Sequence, residues 1–325
     1  MNKQVLFKLL VCVLLCAATV RDVRAQATNA TPAPAAAGAA GRGGAGRGFG
    51  RGPQAPPGPP APVPPEVAIA RPSQADLDEM NAELKKFVDS RPKNSLLRKY
   101  ESLVTVNPPP VNTAIRPTGN GGNYHQSFTN IANTGDFDIM FMGDSITYLW
   151  TVGDGDVSGY PGGKKVYDKY FAGLKIANFG IPGDTTQGVL WRLQNGEGQG
   201  HKPKAVMLMI GTNNGNNAEE IAEGVGADIL EMRKDFPDAK ILLMAIFPRG
   251  TGPTDSNRRK VEAVNKIIAR LDDQKHVFFM NINDKFLDAN GALIGFRPSD
   301  HLHPVPEGYE IWANAVAPTL KSWVQ

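Results

Sequence analysis

Four short polar stretches in this chain of 325 residues contain the residue types that acyl transfer needs. That reaction requires a nucleophile that can lose its proton, a base oriented by a third group, and donors aimed at the oxygen where negative charge develops. Ser145 in "GDSIT" ends an apolar run and can stand at the rim of a buried strand. Asp300 and His303 are three residues apart in "SDHLHP", a proline-bounded turn that can present both to one place, the carboxylate orienting the imidazole. His301 adjoins the same acid, so on spacing alone either histidine can be the base. Two histidines can also hold a metal, but this stretch brings no obvious further ligand, and neither metal nor cofactor is expected. Gly183 in "GIPGDTT" lets a backbone N–H approach a substrate closely, and Asn213 in "GTNN" offers an uncharged amide donor. Each residue also has a bland use, serine as a helix cap and glycine or asparagine in turns. The order around Ser145 is not the Gly-x-Ser-x-Gly elbow of another hydrolase class, since Thr147 fills the last position.

The elements that must hold these residues are legible from residue 119 onward. Short apolar runs, "FDIMFM", "KIANF", "KAVMLMI", "KILLMAI" and "HVFFMNI", alternate with the helical patterns "TQGVLWRLQ", "AEEIAEGVGADILEMRK", "NRRKVEAVNKIIARL" and "PEGYEIWANAVAPTLKSWV". Connections of crossover length predict a parallel sheet, and runs apolar at nearly every position predict strands covered on both faces. The expected domain is α/β over residues 119–325, with five parallel strands between two helical layers. Ligands of such sheets gather outside the carboxyl ends of the strands. The polar stretches fall there, "GDSIT" after the first strand, "GIPGDTT" after the second, "GTNN" after the third, and "SDHLH" between the fifth strand and the last helix. Nucleotide binding lacks a glycine-rich phosphate loop after the first strand.

In this order the blocks resemble the SGNH or GDSL hydrolase superfamily. Within it, "NFGIPGDTTQGVLWRLQNGE", "KPKAVMLMIGTNN" and "AKILLMAIFPRG" resemble the catalytic subunits of platelet-activating-factor acetylhydrolase and their bacterial relatives, over about residues 124–322. The resemblance implies a serine esterase of flavodoxin-like, three-layer α/β/α architecture. It implies Ser145 as nucleophile, Asp300 and His303 as the partnered acid and base, and an oxyanion hole made by the N–H groups of Ser145 and Gly183 and the Asn213 amide. It also selects His303 over His301. The insertion "TVGDGDVSGYPGGKK" departs from those relatives. The loops around the site are short and mostly polar, so a small acyl group is expected, with Leu302 lining its pocket. Tyr148, Trp150 and Tyr160 are aromatic surfaces on which a sugar could stack, packing being the more ordinary use.

The ends of the chain bound its setting. Residues 1–25 read as a secretory signal peptide, with Lys3 and Lys8 around the start of an apolar run and "VRA" as the cleavage site. Both cysteines, Cys12 and Cys16, lie in that run, so the mature chain has no disulfide and no thiol nucleophile. The leader also carries the excess basic charge, and the remainder is formally neutral, which argues against nucleic acid as partner. Residues 26–72, built from Ala, Gly, Pro and Arg, read as a disordered tether. In residues 73–118, Ser73 caps an amphipathic helix with Leu77, Met80, Leu84 and Phe87 at helical spacing, followed by a proline-broken segment, expected to pack on the domain. The expected protein is exported, lacks an integral membrane segment, and takes a small-molecule or polysaccharide ester. A lipid esterase and a non-catalytic glycan-binding domain are the competing readings, and the sequence does not set the oligomeric state.

Overall fold

The computed structural model describes residues 56–100, 104–119, 122–153, 159 and 161–325. The leader, most of the expected tether and Tyr160 lie outside the described residues. The described residues fall into two compact units, residues 71–109 and residues 56–70 with 110–325.

In the smaller unit, helix α1 (Gln74–Asp89) begins where its cap predicts. The Ser73 hydroxyl accepts from the Asp76 N–H, and the Asp76 carboxylate accepts in return from the Ser73 N–H. Leu77 and Leu84 are buried, Val88 joins them, and Met80 and Phe87 are half-buried. A single turn, α2 (Leu96–Lys99), follows, capped by Ser95. Asn81 fastens the returning chain to α1, donating to the Val106 carbonyl at 2.9 Å and accepting from the Val106 N–H at 2.7 Å.

The larger unit is built on five parallel strands, β1 (Ile139–Gly143), β2 (Ile176–Gly180), β3 (Ala205–Met209), β4 (Lys240–Met244) and β5 (Val277–Met280). Their order is β2-β1-β3-β4-β5. The chain therefore starts near the middle, winds outward to β2, and reverses across β1 to build the other side. The crevice between β1 and β3 is the switch point at which such sheets place their ligands.

Helices cover both faces: α3 (Gly122–Thr134), α4 (Ser145–Tyr148), α5 (Lys164–Tyr170), α6 (Thr186–Arg192), α7 (Ala218–Asp235), α8 (Ser256–Ile268) and α9 (Pro306–Val324). The period-two alternation of strand side chains divides the core in two. Met140, Met142, Val206, Leu208, Ile241 and Leu243 join Val189, Val225, Ile229, Val264 and Ile268 on one face. Ile139, Phe141, Met207, Met209, Leu242 and Met244 join Val166, Trp150, Tyr309, Trp312 and Val316 on the other. Strands buried on both sides explain why their sequence is apolar throughout rather than alternating. No helix of the described residues is long and apolar enough to cross a membrane.

Part of the expected tether does not behave as one. Residues 56–70 run along the larger unit: Gly58 N–H donates to Pro117 O and Ala61 N–H to Ile115 O, each at 2.8 Å, and Val67 is buried. The Ile69 N–H donates to the Glu223 carboxylate at 2.8 Å, which also accepts from the Asn112 side chain. A proline-rich strip with few apolar side chains is ordered here because its extended backbone finds donors and acceptors on a preformed surface.

Candidate active site

Gly143 closes β1, and its lack of a side chain permits the turn that follows. A Cβ at this position would lie 2.3 Å from the Thr147 hydroxyl and 2.5 Å from the Met209 carbonyl, so α4 can fold back against the strand end only if residue 143 is glycine. Asp144 then caps α4, its carboxylate accepting from the Ile146 N–H at 2.9 Å. Ser145 is the first residue of the helix and stands half-buried at the rim. From α9, the Tyr309 hydroxyl donates to the Ile146 carbonyl at 2.7 Å and fixes the same turn from the opposite side.

The segment after β5 brings the histidine to this serine. His303 Nε2 lies 2.9 Å from Ser145 Oγ, and His303 Nδ1 lies 2.8 Å from Asp300 Oδ2. A carboxylate can only accept, so the imidazole proton sits on Nδ1 and the Nε2 lone pair faces the hydroxyl. Burial acts to raise the Asp300 pKa. Hydrogen bonds from the His303 ring, the His303 N–H and the Leu302 N–H outweigh it and hold the carboxyl below its ordinary value. The Arg297 N–H donates to the His303 carbonyl at 2.9 Å, tying the backbone of the turn. His301 has a left-handed backbone, φ 48°, and its carbonyl accepts from the Gly250 N–H. Of the two histidines, His303 is the one whose ring makes a hydrogen bond to Ser145 among the described residues. Leu302 is half-buried and packs at the edge of the cluster that includes Ile146 and Trp150.

Two further turns reach the crevice. Gly183 has φ 76°, a conformation suited to glycine, and the turn is closed by the Asp184 N–H donating to Ile181 O. Asn213 donates from Nδ2 to the Asp184 carbonyl at 2.9 Å, linking the turn after β3 to the turn after β2. The same nitrogen lies 3.4 Å from Asp144 Oδ2, and this long contact extends the link to the cap beside Ser145. Burial pushes the Asp144 carboxyl up to about 7.

The turn after β2 is braced from beneath by charges that spacing did not single out. Arg192 of α6 is fully buried and donates to Asp184 Oδ2 from Nε at 3.1 Å and Nη2 at 2.9 Å. Its Nη1 reaches Glu197 at 2.5 Å and the Phe179 carbonyl at 3.1 Å, while Glu197 accepts from His125 Nδ1 at 2.8 Å. An arginine in the last turn of a helical pattern would ordinarily face water, and here the buried carboxylates of Asp184 and Glu197 and the Phe179 carbonyl receive it inside.

Among the aromatic candidates, Trp150 has the packing role expected as the more ordinary one. It is fully buried, 4.6 Å from the Tyr309 ring and 4.9 Å from the Trp312 ring, so it serves the core and offers no stacking surface. Tyr148 is half-buried and meets Tyr124 edge-on at 5.8 Å.

A doubly wound parallel sheet with a serine, an imidazole and a carboxylate in hydrogen-bonded series beyond its strand ends is the architecture of α/β hydrolytic enzymes. The chain belongs to the GDSL-like lipase/acylhydrolase family, whose pattern matches residues 141–311, and it is an ester hydrolase. Platelet-activating factor acetylhydrolase IB subunit alpha2 of Rattus norvegicus is 34% identical over 173 residues, which cover 53% of this chain and 71% of the relative. A platelet-activating factor acetylhydrolase IB subunit beta homolog of Drosophila melanogaster is 39% identical over 148 residues, 45% of this chain and 60% of the relative. Among solved structures, a candidate platelet activating factor from Streptococcus pneumonia matches with a TM-score of 0.51 at 21% identity, covering 61% of this chain and 92% of that one, a likeness of fold.

Proposed function

We propose that the chain is an exported serine esterase that removes acetyl groups from carbohydrate through an acyl-enzyme. The observation that carries the mechanism is the series Asp300–His303–Ser145, with contacts of 2.8 and 2.9 Å at the rim of the sheet. His303 Nε2 takes the proton from Ser145 Oγ as the oxygen attacks the ester carbonyl, and the resulting imidazolium is stabilised by ionised Asp300. The negative charge on the former carbonyl oxygen is met by the N–H groups of Ser145 and Gly183, which close no backbone turn among the described residues. Asn213 supplies the third donor: one N–H stays anchored on the Asp184 carbonyl, and the other, only loosely engaged by Asp144, turns to the oxyanion. The imidazolium then protonates the leaving alcohol. Water activated by the same base hydrolyses the acetyl-serine and restores the hydroxyl.

The acetyl preference rests on the short polar loops and on Leu302, half-buried between Asp300 and His303. The acetylhydrolase name of the relatives points to the same acyl group. It equally supports a lipid-derived alcohol as the second reading. Export rests on the leader read at residues 1–25, and its test is a secreted product beginning at Gln26. The substrate reading is tested by kcat/KM across p-nitrophenyl acetate, butyrate and octanoate, together with acetate release from acetylated xylan. Activity is expected to fall steeply beyond about four carbons, because added methylenes find no apolar cover that could contribute their ~0.8 kcal/mol each. Octanoate outperforming acetate, with no acetate released from any glycan, would replace this reading with the lipid esterase.

A further inference from the structure

The oxyanion turn after β3 is flanked by two cations that the mechanism does not use. Arg249 follows the end of β4, and its Nη1 donates to the Thr212 carbonyl at 2.8 Å and to the Thr212 hydroxyl at 3.1 Å. Lys260 of α8 donates from Nζ to the Asn214 carbonyl at 3.1 Å. The two side chains thus grip the residues on either side of Asn213, and both are half-buried. The backbone at Arg249 and Gly250 is fixed as well. Arg258, itself buried, donates to both carbonyls, and the Gly250 N–H donates to the carbonyl of His301 in the histidine turn. Arg249 therefore stands on the rim between the Asn213 turn and the His303 turn.

Neither Arg249 nor Lys260 makes an ion pair with a carboxylate among the described residues. Asp144 and Asp255 are in electrostatic reach of Arg249. Asp144 lies beneath Ser145 and is driven toward neutrality by burial. Asp255 is occupied as the cap of α8, accepting from the Asn257 N–H at 2.8 Å. Two partly desolvated cations with no acidic partner are costly, since a charge taken out of water needs compensation from an opposite charge. Their arrangement leaves a positive rim that a substrate can complete, and a guanidinium partly free of its Thr212 contacts is suited to forked recognition of an oxyacid.

We propose that Arg249 and Lys260 form an anion subsite that selects esters whose alcohol carries a carboxylate or phosphate group near the scissile bond. The inference rests on the esterase reading above and narrows it to charged alcohols. The subsite acts before chemistry, by raising the local concentration and fixing the orientation of the anionic ester, so it is read in kcat/KM ratios and weakens with added salt.

The test compares phenyl acetate with 4-acetoxybenzoate and 4-acetoxyphenyl phosphate, which share the acyl group and differ in charge. The ratio of kcat/KM for each anionic ester over the neutral one is expected to fall about tenfold in Arg249→Gln and severalfold in Lys260→Gln. Arg249→Lys, which keeps the charge without the fork, should retain part of the preference. A fall confined to the carboxylate identifies uronate-like alcohols as the source, and one confined to the phosphate identifies phosphorylated alcohols. Calorimetric binding of both anionic esters to Ser145→Ala, with and without Arg249→Gln, reads the subsite without turnover and should show the same loss of affinity. Ratios and affinities unchanged by both glutamine variants would overturn the subsite. Failure of the wild type to hydrolyse any of the three esters would instead overturn the esterase reading, while the calorimetry still decides the subsite.

Discussion

Ser145 and His303 meet through a single hydrogen bond, so removing either leaves the other without a task. Ser145→Ala and His303→Ala are each expected to lower ester hydrolysis roughly a thousandfold or more with the fold intact, since such groups act as one unit. His301→Ala should keep most activity, because its ring makes no bond to Ser145 and its structural contribution is a carbonyl that alanine also supplies. Rates on p-nitrophenyl acetate with circular dichroism as the folding control check all three, and a dead His301 variant beside an active His303 variant would reassign the base. Asn213→Ala should cost about 3 kcal/mol in the transition state, a hundredfold or more in kcat with little change in KM. A change confined to KM would remove Asn213 from the oxyanion hole. That Ser145, Asp300 and His303 come together was legible in the sequence, because each is a particular chemical type at the end of a recognisable element; the oxyanion roles of Gly183 and Asn213 are proposals. Arg192, Asp144, Arg249 and Lys260 were not singled out. Their roles come from partners distant in the chain, and an isolated charge in a helical or loop pattern reads as a solvated face.

Helix α7 shows the same limit within an element whose periodicity was plain. Asp228 is fully buried there, and neither of its carboxylate oxygens has a hydrogen-bond partner among the described residues. Burial, reinforced by the charge of Asp184 and opposed by Arg192, holds its pKa well above the ordinary carboxyl value. The unfolded chain loses this proton near pH 4, whereas the fold keeps it to higher pH. Between those values the folded state binds more protons, so stability falls as pH rises through the window. Asp144, raised to about 7, and Asp235, raised to about 6, act in the same direction. Asp228→Asn should therefore raise the melting temperature by several degrees at pH 8 and by much less at pH 5, measured by calorimetry. An equal change at both pH values would show that the carboxyl does not hold its proton in the fold. The strands and helices α6, α7, α8 and α9 of the sheet domain were legible because burial imposes a period on them. Helix α3, formed by "GNYHQSFTNIANT", was not, since its apolar residues, although at helical spacing, are few among polar ones.

At the scale of the molecule, the sequence gives too little credit to residues 56–70. Composition measures what a segment can bury, and this one buries Pro64 and Val67 with Ala61 and Val63 packed at the core edge, but it does not measure backbone hydrogen bonds to a surface built elsewhere. Deleting residues 56–72 is expected to lower the melting temperature by about 5 °C or more, through loss of the bonds to Pro117, Ile115 and Glu223. A deletion of residues 26–55 should leave it unchanged, and equal effects from the two would contradict the assignment. The sheet order has a consequence for synthesis. Ser145 and His303 are separated by 158 positions, and Tyr309, which braces the nucleophile turn, follows still later. A chain growing from its amino end completes β1, β2 and β3, with Ser145, Gly183 and Asn213, well before it delivers His303. Until His303 and α9 emerge and dock, the nascent protein holds Ser145 without its hydrogen-bond partner, so the Ser145–His303 contact forms only after all five strands of the sheet have been made.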